Sequence, residues 1–171
     1  MMKKILIILA VILAAAGIAV AVRLIFFAET PEAAVRRTFN GFADSLRKSG
    51  DEGMITMLER TKTASRFFAE QCKFKLDRVP NGTGIMRRKD IASNALLLRR
   101  HFKNMQVRFY DMEIQIEPER KEASVLFTAA FAGTPIAGRN VREAMEMEAV
   151  LTEQEGKWLF QSISVREIIR K

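Results

Sequence analysis

Hydrophobic positions divide the 171 residues into three regimes: a continuous apolar run, a stretch with helical spacing, and a stretch that alternates. The run comes first. After Lys3 and Lys4, Ile5 to Val22 holds only Ile, Leu, Val, Ala and Gly, and beyond Arg23 it resumes through Ala28. Ile5 to Val22 spans about 27 Å as a helix, and the extension to Ala28 passes the roughly 30 Å of a bilayer's hydrocarbon core. Residues 5–28 are therefore expected to form a transmembrane anchor through the lipid bilayer. The lysines keep the short end, residues 1–4, in the cytoplasm, which leaves 29–171 extracytoplasmic. For a bacterium this means a single-pass inner-membrane protein facing the periplasm. A cleaved signal peptide is the competing reading, with Ala19-Val20-Ala21 as a small-x-small site, although the apolar core is long for one.

Helical spacing follows. Thr30-Pro31-Glu32 supplies an N-cap, a first-position Pro and an acidic first turn. Val35, Phe39, Phe42 and Leu46 make one stripe, closed by Ser49-Gly50. Asp51 can cap a second helix carrying Met54, Ile55 and Leu58. A third helical stretch is expected to carry Ala64, Phe67, Phe68 and Cys72, with Cys72 as a small apolar core residue. The alternation at Phe74 and Leu76 suggests a short strand before the turn at Asn81-Gly82-Thr83-Gly84. Asn81-Gly82-Thr83 also has the form of an N-glycosylation sequon. Arg87 to Phe102 returns to helix, with Ile91, Ala95, Leu98 and Phe102 inward.

From Asn104 onward the period is two. Val107 and Phe109 hold one phase and Met112, Ile114 and Ile116 the other, which predicts a bulge near Phe109-Tyr110. Ala123 to Phe131, Val141 to Thr152 and Trp158 to Ile169 complete a meander. The chain thus predicts an α+β domain, helices on one face of an antiparallel sheet.

Composition narrows the chemistry. One Cys excludes an intramolecular disulfide and a cysteine-based zinc site, and one His excludes any metal centre that needs two. No cofactor is implied. The formal charge of +8 includes Lys3, Lys4 and Arg23 of the anchor. On an exported domain it points to anionic headgroups rather than nucleic acid. His101 ends a helix, where an exposed or capping role is ordinary. Tyr110-Asp111 is the one adjacent pair resembling an oxyanion donor beside a base, and neighbouring strand residues share a face only through a bulge. Arg88, Arg99 and Lys103 can line up as a basic surface ridge on the helix ending at Phe102. No nucleophile elbow or metal motif occurs, so an enzyme is possible but unsupported.

The opening Thr30-Pro31-Glu32-Ala33-Ala34-Val35-Arg36-Arg37, the paired strands Asp111 to Ile116 and Ala123 to Val125, and the closing Gly156-Lys157-Trp158-Leu159-Phe160 resemble the nuclear transport factor 2-like superfamily over residues 29–171. The resemblance implies three helices against a curved sheet, enclosing a cone-shaped cavity. Members use such a cavity as isomerases, dehydratases or hydrolases, or bind ligands and proteins without chemistry. Some are membrane-tethered parts of secretion and conjugation machines. Cavity candidates on this basis are Tyr110, Met112, Phe127, Met145 and Met147, suited to a small apolar ligand. The family's first hairpin, between helices two and three, has no evident counterpart in the pattern. The expected function is a non-catalytic binding or assembly module with an envelope protein partner or self-association. The alternatives are a carrier or sensor using the cavity, and an enzyme of the same fold.

Overall fold

The computed structural model describes residues 29–76 and 83–169. The expected anchor at 5–28 lies outside the described residues, as do Asn81 and Gly82 of the sequon. No helix among the described residues is long and apolar enough to cross a membrane. Three helices, α1 (Pro31–Leu46), α2 (Met54–Ser65) and α3 (Arg88–His101), accompany six strands. The strands are β1 (Phe68–Lys75), β2 (Thr83–Arg87), β3 (Phe102–Glu117), β4 (Glu122–Pro135), β5 (Val141–Gln154) and β6 (Lys157–Ile169), in the sheet order β2-β1-β6-β5-β4-β3.

The stripe on α1 lies where its spacing puts it: Val35, Phe39 and Leu46 are buried and Phe42 packs beside them. The helix ends at Leu46, earlier than expected, and Gly50 instead takes a positive φ of 75° in the turn that follows. Gly53, not Asp51, occupies the N-cap of α2. Met54, Ile55 and Leu58 are exposed, Ile55 at 75 %, while Thr61, Ala64 and Ser65 are buried. Only the second half of α2 reaches the core, so its apolar first turns overhang it.

The third helical stretch is a strand. Phe68–Lys75 pairs antiparallel with Thr83–Arg87, Cys72 facing Met86 and Phe74 facing Gly84. This is the hairpin between helices two and three that the pattern concealed. Phe67, Phe68 and Cys72 fit helical and extended spacing alike, and the pairing decided between them. The sheet is mixed rather than purely antiparallel, because β1 runs parallel to β6 from Phe68↔Phe160 to Lys75↔Ser164. Sequential hairpins give only antiparallel neighbours, so this parallel contact comes from closing the two ends of the domain together.

The bulge falls one residue beyond its expected place. Tyr110 pairs with Thr128 and Glu113 with Leu126, so Asp111 and Met112 together oppose Phe127, and Asp111 adopts φ 50°. The extra residue returns Met112, Ile114 and Ile116 to the phase of Phe109. The core between helices and sheet is aromatic. Phe39 meets Phe109, Phe127 and Phe160 edge-on at centroid distances of 5.2, 4.9 and 4.9 Å. Phe42 adds edge contacts to Phe68 and Phe160 at 5.1 and 5.5 Å. Edge-to-face rings in this range are favourable beyond their area alone.

Candidate functional site

The inner face of the sheet is occupied by packed apolar side chains. Phe127 is 5 % exposed in the core, and Met112 and Met147 pack against it. Met145 is half-buried opposite Ala129. Four of the five expected cavity residues therefore lie on the inner face, three of them in or against the aromatic core. The fifth does not. Tyr110 pairs with Thr128, out of phase with Phe127, and stands 43 % exposed on the outer face. Asp111, in the bulge, is also exposed. His101 is exposed and its ring meets the edge of Phe102 at 5.1 Å. The donor–base pair thus stays outside the cone, and the bulge turns neither residue inward.

Cys72 is fully buried, and desolvation pushes its thiol up to about 12. A protonated, enclosed thiol is a poor nucleophile. Among the described residues no group of His, Cys, Asp and Glu could hold a metal ion.

The expected basic ridge is not a surface feature. Arg99 is 0 % exposed. Its Nη1 donates to the carbonyls of Ser45 and Leu46 at 3.0 and 3.1 Å, and Nη2 to Arg47 O at 2.9 Å. The same guanidinium holds Glu52 at 2.7 Å. Lys48 returns the arrangement: its Nζ donates to the Arg99 and Phe102 carbonyls at 2.9 and 2.8 Å. Each cation closes the C-terminus of the other's helix, α1 and α3, where orphan carbonyls and the negative dipole end favour positive charge. Arg88 is half-buried, donating twice to Phe68 O at 3.0 and 2.8 Å and pairing with the exposed Glu70 at 3.7 Å. Lys103 alone of the three remains exposed. Spacing could have placed Arg99 inside, since 91, 95, 99 and 102 is as regular as 91, 95, 98 and 102. Hydrophobicity selected Leu98, which is 39 % exposed.

The sequence did not single out the concavities of the surface. A cleft of about 590 Å³ opens beside the end of α1, with Arg47, Asn104, Arg108, Asn140 and Arg142 in its walls. A trough of about 550 Å³ continues from it along the outer sheet face past Tyr110, Ala130 and Ala144. The two share Gln106, Arg108, Ala132 and Arg142. A separate groove of about 720 Å³ between α1, the end of α2 and the β5–β6 turn contains Arg66, Phe67, Lys157 and Trp158.

With this architecture in view, comparison with solved structures is informative about shape. The fold is the nuclear transport factor 2-like cone. A conserved protein from Planctomyces limnophilus superposes with a TM-score of 0.63 at 12% identity, covering 81% of this chain and 95% of that one. A provisionally named scytalone dehydratase from Novosphingobium aromaticivorans gives 0.60 at 14% identity, over 80% and 83%. ActVI-ORFA from Streptomyces coelicolor gives 0.58 at 11% identity, over 80% and 96%. At these identities the likeness establishes fold and not activity. No family model matches the sequence, and no curated protein does.

Proposed function

We propose that this protein is a non-catalytic binding and assembly module, held at a membrane by residues 5–28 with residues 29–171 outside the cytoplasm. The observation that carries the non-catalytic part is the filled cone. Where a substrate would sit, Phe39 is locked among Phe109, Phe127 and Phe160. General acid–base chemistry needs a titratable group within hydrogen-bond reach of the reacting atom. The hydrophobic cluster there holds one ionisable group, the high-pKa thiol of Cys72, and the buried cations Lys48 and Arg99 are both engaged by helix-end carbonyls. Assembly is favoured by the exposed Met54, Ile55, Leu58 and Leu97. Glu52, just before α2, pairs with Arg99 near the end of α3, which puts the first turns of α2 beside the last turns of α3. Met54, Ile55 and Leu58 lie within about one turn of each other on α2, and exposed apolar side chains so placed are a surface that partners cover.

Incubating the purified full-length protein with a cellular small-molecule extract tests this reading, with mass spectrometry following both the extract and the protein. Compounds retained by the protein without time-dependent conversion are expected, and Tyr110→Phe, Asp111→Asn and His101→Gln should leave melting unchanged. A conversion lost in Asp111→Asn would establish an enzyme working from the outer face.

A further inference from the structure

We propose that the joined cleft and trough on the outer sheet face form a binding site for an amphipathic organic anion. Its acidic head would lie between Arg108 and Arg142, and its apolar body on Ala130, Ala132 and Ala144. The sheet register sets the geometry. Gln106, Ala132 and Arg142 form one cross-strand row, and Arg108, Ala130 and Ala144 the next. The two arginines therefore stand diagonally across β4, their Cα atoms about 12 Å apart by ordinary strand spacing. Two long guanidinium side chains can close that span onto one acidic group.

Three observations support a ligand rather than a solvated surface. Neither Arg108 nor Arg142 has an ion-pair partner among the described residues, whereas Arg47 has Asp44 at 3.2 Å and Arg99 has Glu52. Glu143 also lines the trough, so Arg108 and Arg142 leave it a net positive charge; such a surplus at a concavity raises the local concentration of anions, and the guanidinium fork suits carboxylate and phosphate. The floor between them is alanine, a weak strand former where β-branched residues are usual, and its small side chains are what leave the trough open. Beyond the arginines, Tyr110 borders the apolar end. An aliphatic or aromatic acid fits both ends, as does the phosphate head of a single lipid.

The proposal rests on the non-catalytic binding reading and adds the ligand class. Octanoate and dihexanoylphosphatidylglycerol serve as free-acid and lipid probes, titrated calorimetrically against the full-length protein in detergent below the probes' own micelle concentrations. Acetate and octanol supply head alone and body alone. Saturable binding of either amphipathic probe, at least about tenfold tighter than both controls, is expected. Which probe binds more tightly distinguishes a free acid from a lipid. Arg108→Gln with Arg142→Gln should weaken it by about tenfold or more. Ala130→Glu, which sets a carboxylate directly opposite Arg108, should abolish binding with melting at or above wild type. No saturable binding of either probe, or binding unchanged in Ala130→Glu, would overturn the proposal. So would a dimer that dissociates in Ala130→Glu while the probes do nothing, since a second copy would then cover this face. Probe binding without conversion keeps the module reading, and a converted probe would refute that reading separately.

Discussion

Cys72 shows how one residue can record its environment. It sits on β1 at 0 % exposure, and burial alone pushes its thiol up to about 12 from an ordinary 9.0. Below pH 9 the folded and unfolded chains both hold the proton, so the native state keeps its full stability. Between 9 and about 12 the unfolded chain loses the proton while the folded one retains it, and stability falls by about 1.4 kcal/mol per pH unit. Urea unfolding at pH 8 and pH 10 should therefore show wild type losing about 1 kcal/mol more than Cys72→Ala. Equal losses would mean that the thiol is hydrated in the native state. Gly133 is a second position where packing leaves no freedom. A Cβ there would stand 2.6 Å from the Phe102 ring and 2.9 Å from that of Phe131, so only glycine lets β4 pass beneath both aromatics.

At the scale of elements, the reciprocal closure of α1 and α3 ties the helical layer together. Arg99 satisfies carbonyls of Ser45, Leu46 and Arg47 and pairs with Glu52, while Lys48 satisfies those of Arg99 and Phe102. Removing one partner of such a buried ionic network leaves the other charge and the carbonyls stranded. Arg99→Ala should cost about 3–5 kcal/mol in denaturant unfolding, and Arg99→Lys should recover only part of it, because an ammonium cannot reproduce the planar fork. Glu52→Gln should cost less than Arg99→Ala, since the helix-end carbonyls keep their donor. A fully stable Arg99→Ala protein would mean that water replaces the guanidinium without loss. The overhanging first half of α2 belongs to the same layer, and its exposure explains why this helix contributes Thr61, Ala64 and Ser65 to the core rather than its larger side chains.

For the whole molecule, the proposed tether and the domain make separable predictions. If residues 5–28 are a retained anchor, the full-length protein should stay in membranes after alkaline carbonate washing, and a reporter placed after Lys171 should read as external. Recovery of a shorter soluble species would instead identify a cleaved signal, and a cytoplasmic reporter would reverse the topology.

The sequence by itself determined where elements of regular period lie: the stripe of α1, the alternating strands β3 to β6, and the bulge to within a residue. Those features depend on neighbours only a few positions apart, so local pattern carries them. The cone resemblance was legible too, because the opening helix and the closing Gly156-Lys157-Trp158 strand bear compact motifs at the two ends of the domain. Three matters were left to tertiary structure. Phe68 to Lys75 is a strand because β6 and β2 offer it hydrogen-bond partners, and β6 lies about ninety residues away in the chain. Arg99 is buried because the open end of α1 meets it there, which outweighs the preference of hydrophobicity for Leu98. Tyr110 faces outward because the bulge follows it, so the residue chosen for the cone borders the trough instead. In each case the deciding energy comes from a partner remote in sequence, and local periodicity contains no information about that partner.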